Sequence, residues 1–486
     1  MTIWREPDSL DRGRFEPEAV FEAGLLNHHV SSTAYPVAHD STWRPYRVRR
    51  EEMETTTVAA LRSISELGLY AHIPFCETRC SFCEYTVTRR SEHSGVAAYM
   101  DALLSELSLY DEAIELGTKT LAGFDIGGGT PSFVPADEIA RLVSVVRERA
   151  RFREGADISI ETTPKIAAAE PSKLRAYRES GIDRISMGIQ VIEPDLLKVL
   201  NREANGAETH EAAVGNIRDA GFRRLNLDLM YGFKDQSLES WRATVRHAID
   251  LGPEYITLYR MRYKLTRISH QAPAVTLERV RPMERLAKAM LLDAGFFATP
   301  GKTTWSRVPG DVGTSSYLAR RVTEGLPYLG LGLGAQTFTD TTIAYNDGAA
   351  AKSLPPYLRS VEARRLPIQD LYDLPAVQMM GKMCSVSFYF GEIHLASFER
   401  KFGVTLEDAY PEAVHFVLRE GLMEYSADED TLRLTASGCD HKNGIHALFY
   451  APSIQRYLLS RDPEQAEDFE RHRRSARRLA DEPVPV

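Results

Sequence analysis

The sequence predicts an α/β fold: a partial (β/α)6 barrel with an N-terminal extension and a mainly helical C-terminal domain. Three observations predict it. Short β-rich runs alternate with helical runs from Leu69 to Met261, an alternation that builds parallel sheets. Glycines follow the helical runs at Gly181, Gly221 and Gly252, where chains commonly leave a helix. The glycine-rich and polar motifs fall at the ends of the strand runs, the end where barrels of this type place their active sites.

Six strands are predicted, over 69–73, 121–126, 157–161, 183–190, 224–231 and 255–261. Helices are predicted over 96–116, 136–149, 211–220 and 238–251. In the first of these Met100, Leu103, Leu104 and Leu107 fall on one face, the spacing of an amphipathic helix. The chain divides into an extension at 1–68, the barrel at 69–300, a less regular barrel-completing segment at 301–369, a helical, winged-helix-like region at 370–460, and a charged tail at 461–486. The extension carries Trp4, Tyr35, Trp43 and Tyr46 among polar residues. It reads as an arm across the main domain, with a lid over a substrate pocket as the alternative.

Composition narrows the function classes. The net charge is −9, which argues against bulk nucleic-acid binding. There is no run of about 18 apolar residues, so no membrane span is expected. Residues 1–14 are charged and lack an apolar core, unlike a signal peptide. With cysteines expected to be free, a reducing cytoplasm is the predicted location. Cys384 and Cys439 are solitary and read as inert thiols.

Cys76, Cys80 and Cys83 form C-x3-C-x2-C within the stretch YAHIPFCETRCSFCEY. Thiolates this close on a loop can converge on a soft metal centre. Four-iron clusters usually take four cysteines, so three would leave one iron open to a small molecule. A structural zinc site wants four ligands, and the only candidate fourth, His72, sits on a strand run.

Further motifs follow. Gly127, Gly128, Gly129, Thr130 and Pro131 end the second strand; glycines in line let a backbone approach a ligand and present its N–H groups. Glu161 ends the third strand, Gln190 the fourth, and Asp228 lies inside the fifth. An Asp in an apolar strand is costly unless hydrogen-bonded. Arg184, in DRISMGIQ, reads evenly as an ion-pair partner or a ligand. Arg202, in LNRE, would otherwise read as a solvated helix residue.

HIPFCxxxCxxC resembles the radical S-adenosylmethionine (SAM) superfamily, in particular the branch containing oxygen-independent coproporphyrinogen III oxidase. The resemblance runs from about Tyr70 to Gln336, and GGGTP, the NRxSxGxQ-like DRISMGIQ and the DLxxG run of NLDLMYGF belong to it. Asp183 departs from the usual Asn, and Phe233-Lys234 from the usual hydrophobic-Pro pair. The resemblance implies a [4Fe-4S] cluster on the three cysteines and two molecules of SAM. Tyr70, Gly128 and Glu161, with Gln336, would face one, and Gly127 would also contact cofactor. Phe82, Gly129, Thr130, Gln190, Arg202 and Asp228 would serve the other. It implies that one SAM is split to methionine and a 5′-deoxyadenosyl radical that abstracts hydrogen.

The oxidase proper resembles C-x3-C-x2-C-x-C, whereas here Tyr85 stands at the last position. That departure favours the branch's class C members, in which the radical from one SAM takes a hydrogen from the methyl of a second, whose methylene adds to an sp2 carbon of a natural product and, with loss of S-adenosylhomocysteine, leaves a methyl group or cyclopropane. The expected activity is therefore C-methylation or cyclopropanation, with tetrapyrrole oxidation or haem chaperoning as the alternatives. For the chaperone alternative, His28, His29, His441 and His446 read as surface histidines. The expected partners are a small-molecule substrate and an electron donor such as flavodoxin or ferredoxin, with no nucleic acid, no membrane and a monomeric state.

Overall fold

The computed structural model describes residues 4–37, 39–88, 92, 95–264, 266–426 and 428–461. Of the expected tail, residues 462–486 lie outside them. The strands in chain order are β1 (Glu66–Ile73), β2 (Thr120–Gly128), β3 (Arg151–Phe152), β4 (Ile158–Thr162), β5 (Arg184–Gln190), β6 (Leu225–Tyr231), β7 (Tyr255–Arg260), β8 (Thr304–Ser306), β9 (Tyr328–Leu331), β10 (Gln336–Phe338), β11 (Thr342–Asn346), β12 (Ile368–Asp373), β13 (Glu392–His394), β14 (Met423–Ser426) and β15 (Thr431–Leu434).

One sheet runs β12-β11-β10-β9-β1-β2-β4-β5-β6-β7-β8, with β3 paired to β2. Its centre is the six predicted strands, β1, β2, β4, β5, β6 and β7, all parallel in sequence order. This is the curved wall of a partial (β/α)6 barrel. Helices Val96–Ile114, Ala136–Arg149, Ala207–Asp219 and Leu238–Asp250 cover it. In Ala136–Arg149 the residues Ile139, Leu142, Val143 and Val146 are buried, one helical stripe that faces the core. Each such side chain contributes about 1.5–3 kcal/mol by leaving water.

The segment read as irregular holds more order than its sequence shows. It contains β8, β9, β10 and β11. β9 extends the wall parallel to β1, and β10, β11 and β12 turn back antiparallel. Strands of three to six residues, separated by glycines and polar turns, carry too few alternations to be read from pattern alone.

The N-terminal arm does not simply cross the barrel. Helix Pro17–Leu26 packs on helices Lys442–Leu448 and Pro452–Leu459. The buried Gln378 locks arm to C-terminal region. Its Nε2 donates to both Asp11 carboxylate oxygens, at 3.0 and 2.8 Å. Its Oε1 accepts from the Tyr35 hydroxyl at 2.5 Å and from Trp43 Nε1 at 2.9 Å. Tyr35, Trp43 and Tyr46 of the extension are thus core side chains of this joint, with Trp4 partly buried against it. Beyond it, β13, β15 and β14 form a small antiparallel sheet beside helices Leu395–Phe402 and Pro411–Arg419. No helix among the described residues is long and apolar enough to cross a membrane.

Candidate active site

The loop from Pro74 to Thr88 connects the end of β1 to the rest of the barrel mouth, and it is held from several sides. Thr88 N donates to Pro74 O at 2.9 Å, Ser81 N to Leu200 O at 3.0 Å, and Arg267 N to Ser81 O at 3.0 Å. Asn201 Nδ2 donates to Arg79 O at 2.9 Å. Lys352 Nζ donates to the carbonyls of Glu84 and Tyr85, at 2.7 and 3.0 Å. Arg262 pairs with Glu84. The loop that carries the cysteines is therefore a fixed object supported by β5–β6, β7 and β11 connections.

Cys76, Cys80 and Cys83 are free thiols, partly accessible. Burial and the neighbouring thiols push Cys76 up to about 12, against the Thr130 hydroxyl, which donates to its sulfur at 3.4 Å. Cys83 is also raised, first by burial. Metal binding would displace the thiol protons, because a coordinated thiol is deprotonated outright. Arg202 Nη1 donates to Cys80 Sγ at 3.3 Å, a cation placed to balance thiolate charge. Among the described residues no three His, Cys, Asp or Glu side chains close on a single metal ion. A cluster asks something different, since each thiolate takes its own iron. His72 is committed elsewhere: Nε2 lies 2.7 Å from Thr86 O and Nδ1 3.2 Å from the Tyr70 hydroxyl.

The glycine run is stitched onto this loop. Gly129 N donates to Ile73 O and Thr130 N to Phe75 O, both at 2.7 Å. A Cβ on Gly129 would stand 2.7 Å from Phe75 O. Gly128 has φ +116° and abuts the His72 ring, a conformation that excludes other residues. Gly127 lies against Glu161 and Tyr70.

Around it, the strand ends point into an open chamber. In β4 the flanking residues are buried and Glu161 alone is exposed. Glu161 Oε2 accepts from Gly128 N at 3.2 Å. Enclosure by the barrel, and then the charge of Asp228, push its carboxyl up to about 8. Asp228 accepts from Ser186 Oγ at 3.0 Å and Asn226 Nδ2 at 2.8 Å. Enclosure still raises it to about 6, against those two hydrogen bonds. Gln190 has φ +65°, and its Oε1 is buried without a partner, as is Arg202 Nε. Backbone strain and unsatisfied polar groups of this kind mark positions that serve a ligand. Phe82 packs partly buried against the main core. Gln336 begins β10 and accepts from the Tyr328 hydroxyl, on the opposite side of β1 from the glycine run.

Some expectations are corrected. Arg184 begins β5 and so lies at the far end of the barrel from Gln190; it stacks over Tyr255 at 4.2 Å and donates to Gly313 O. It is a structural residue. Arg202 is not on a helix face but in the turn after helix Pro194–Val199, 7% exposed. His446 is buried, and burial first of all lowers it to about 3 and the half-buried His28 and His29 to about 2 and 4. They are not surface histidines. Sequence reasoning missed Tyr259 and Tyr389, whose hydroxyls meet at 3.0 Å. It also missed Lys352 and Arg262. Tyr85, 60% exposed, lies within charge range of both Glu161 and Asp228, so its side chain projects into the chamber.

Residues 70–248 match the family model described as the radical SAM superfamily. The barrel is a radical SAM barrel. The chain is 32% identical over 237 residues to the oxygen-independent coproporphyrinogen III oxidase of Paracoccus denitrificans, covering 49% of this chain and 51% of that one. It is 34% identical over 199 residues to the haem chaperone HemW of Haemophilus influenzae, covering 40% and 51%. The matches thus span about half the length of these curated relatives. The crystal structure of Escherichia coli coproporphyrinogen III oxidase superposes with a TM-score of 0.67 at 23% identity, over 82% of this chain and 93% of that one; this shows a shared fold. These relatives do not support the expectation of a class C methylase or cyclopropanase. They point to the oxidase and chaperone branch instead.

The cofactors of the radical SAM barrel are a [4Fe-4S] cluster and SAM. The residues present fit both: three thiols with an arginine beside them, and a glycine run packed too closely on Glu161, His72 and Phe75 to carry side chains, which keeps the strand end beside the thiols bare. The partnerless Gln190 Oε1 and Arg202 Nε also fit. Cys76, Cys80 and Cys83 would hold the cluster. Gly127, Gly128, Gly129, Glu161, Gln190 and Asp228 would hold the SAM ends.

Proposed function

We propose that this radical SAM enzyme is an oxidoreductase of the coproporphyrinogen oxidase type, acting on a tetrapyrrole-like substrate. The observation that carries the reading is the chamber beside the cysteine loop. Tyr259 and Tyr389 meet there through their hydroxyls at 3.0 Å, and both, with Tyr85, stand within charge range of Asp228; such a group of rings suits a large, flat, pyrrole-based molecule. The names of the relatives support the same choice. When bound, a reduced cluster splits SAM and supplies a carbon radical that takes one hydrogen atom from the substrate. The chain's own part is to bind and orient: Glu161 for an ammonium, Asp228 for hydroxyl or adenine N–H groups, Arg202 for a carboxylate. The fixed loop keeps the cysteines and the chamber in register. Two SAM molecules, with Tyr70, Gly128 and Glu161 at one and Gln190, Arg202 and Asp228 at the other, belong to this proposal. So do Phe82, Thr130 and Gln336 as contacts, an electron donor such as flavodoxin or ferredoxin, and a monomer in the cytoplasm.

A propionate arm that loses a hydrogen atom, then an electron to an external acceptor and CO2, becomes a vinyl group. The test is anaerobic turnover of the reconstituted protein with SAM, a reductant, an electron acceptor and coproporphyrinogen III. Expected products are 5′-deoxyadenosine and a decarboxylated porphyrinogen, without S-adenosylhomocysteine. Tyr85, at the position where the oxidase motif has its fourth cysteine, favours a second reading, one-carbon transfer from a second SAM. Stoichiometric S-adenosylhomocysteine would replace the first reading with that one. The chaperone reading predicts tight haem binding and no 5′-deoxyadenosine.

A further inference from the structure

Two histidines meet where two of the covering helices pack side by side. His210 lies on helix Ala207–Asp219 and is fully buried; His247 lies on helix Leu238–Asp250 and is partly buried. His210 Nδ1 stands 2.8 Å from His247 Nε2, and His210 Nε2 stands 3.2 Å from the Asn205 carbonyl oxygen. A carbonyl only accepts, so His210 carries a proton on Nε2 and donates it there. Burial first, then His247, lowers His210 to about 4, and burial lowers His247 as well. At neutral pH both rings are therefore neutral. His210 Nδ1 is a lone pair, and His247 fills it with the proton on its own Nε2. The donors run one way, from His247 to His210 to Asn205.

Asn205 ends the turn that carries Arg202. The chain leaves helix Pro194–Val199, passes Asn201 and Arg202, and makes one tight turn over Glu203–Asn205 before helix Ala207–Asp219 begins. Both ends of this turn are fastened. At its start Asn201 Nδ2 donates to Arg79 O at 2.9 Å, on the cysteine loop. At its end Asn205 N donates to Arg202 O at 2.9 Å, and Asn205 Oδ1 accepts from Lys165 N at 3.3 Å. Lys165 lies in the first turn of helix Pro164–Ala169, which follows the strand of Glu161. Between these anchors Arg202 reaches Cys80 Sγ with Nη1 at 3.3 Å and Gly188 O with Nη2, while its Nε is buried without a partner.

An apolar side chain at position 210 would fill the space between the helices without the cost of burying two ring nitrogens. It would have no proton to give the Asn205 carbonyl. The imidazole thus acts on the backbone at the end of the Arg202 turn, and His247 fixes which of its nitrogens does so. A misplacement of about 1 Å caused by a change far from the chemistry can cost on the order of a hundredfold.

We propose that His210 and His247 are positioning residues: through Asn205 they set where the Arg202 guanidinium stands, and so how tightly the site takes the carboxylate of SAM. This rests on Arg202 meeting that carboxylate.

The test is a double-mutant cycle on the reconstituted full chain, read by SAM affinity in calorimetry and by the midpoint potential of the cluster. His210→Leu is expected to weaken SAM about tenfold with cluster loading unchanged, and to add nothing in an Arg202→Gln background, because residues acting through one another are not additive. His210→Gln, whose amide can donate in place of Nε2, should restore affinity to within about twofold. Should His210→Leu fail to fold, His247→Leu takes its place. It frees His210 to change tautomer and should weaken SAM about threefold, again only with Arg202 present. An equal loss with and without Arg202, or no loss, overturns the proposal, as does a glutamine that binds SAM no better than the leucine. If Arg202→Gln itself leaves SAM affinity unchanged, the carboxylate contact is what fails, and the midpoint potential decides the positioning, because the guanidinium also meets Cys80. A shift in His210→Leu that vanishes without Arg202 then upholds it; a shift that persists, or none, overturns it.

Discussion

The two ends of the barrel are built on opposite rules. At the N-terminal ends of the strands, acids and arginines are paired with one another, although Arg184 Nη1 is buried without a hydrogen-bond partner. Asp157 accepts from Arg224 at 2.7 Å and from Ser316 N and Oγ at 2.8 and 2.6 Å. Asp311 accepts from the Tyr255 hydroxyl at 2.6 Å and pairs with Arg224 at 3.4 Å. Arg184 covers the group over Tyr255. At the C-terminal ends the same kinds of residue are left incomplete: Glu161 exposed, Gln190 Oε1 and Arg202 Nε without partners, Gln190 at positive φ. Completed networks hold a fold together, whereas incomplete ones wait for a ligand. The difference teaches which end to perturb for activity and which for stability.

The largest effect is expected at the incomplete end. Cys80→Ala removes one of three cluster ligands. It should abolish four-iron absorbance after reconstitution and lower 5′-deoxyadenosine formation by at least a thousandfold. The apo protein should melt at the wild-type temperature, because Cys80 sits on a surface-accessible loop. An intact cluster spectrum in this variant would refute the ligand assignment and erase the contrast.

The reverse experiment is Asp157→Ala. It leaves Arg224 with Asp311 alone and strands the Ser316 N–H and hydroxyl. Removing one partner of a buried, hydrogen-bonded pair costs about 3 kcal/mol. Chemical denaturation should show that loss, while cluster loading and SAM affinity per folded molecule stay at wild-type values. A selective loss of SAM binding would mean that the two ends are coupled.

Asp228→Asn should fall between. It keeps a hydrogen-bonding shape near Ser186 and Asn226 but cannot accept as a carboxylate. SAM affinity should drop roughly ten- to a hundredfold, about 1.4–2.7 kcal/mol, read by isothermal titration, with a small effect on stability.

How much of this contrast was legible in the sequence depends on which physical signal carried it. The six parallel strands were readable because each is an apolar run ended by a glycine or polar motif, as in β2 and β6. Their edges slipped where pattern is weak: β1 begins at Glu66, three residues before the predicted start, and the helix predicted at 211 begins at Ala207. The cysteines, Gly127–Gly129, Glu161, Gln190, Arg202 and Asp228 were readable from spacing and position at strand ends. Tyr259 and Tyr389 were not. Their types are ordinary, and what makes them notable is that separate elements bring their hydroxyls together. Arg184 was ambiguous because strand alternation gives a face but not an end of the barrel. Tyr85 was visible only as a departure from a motif; its direction into the chamber is a property of the folded loop.

The smallest expected effect is also the sharpest test of why the C-terminal end is incomplete. Glu161 is raised to about 8 and Asp228 to about 6 without ligand. Both lie above the usual carboxylate values, so between about pH 4.5 and 8 the native apo protein binds more protons here than the unfolded chain. Stability must then fall as pH rises through that window. Glu161→Gln should flatten that slope, measured as the denaturation midpoint at pH 6 against pH 8. An ammonium arriving at Glu161 favours the carboxylate, so SAM binding at pH 7 should release up to one proton. Calorimetry in buffers of different ionisation enthalpy would count it, and Glu161→Gln should release correspondingly less. Equal release by both proteins would show that Glu161 does not meet the ammonium, and would move that contact to another group at the mouth of the barrel.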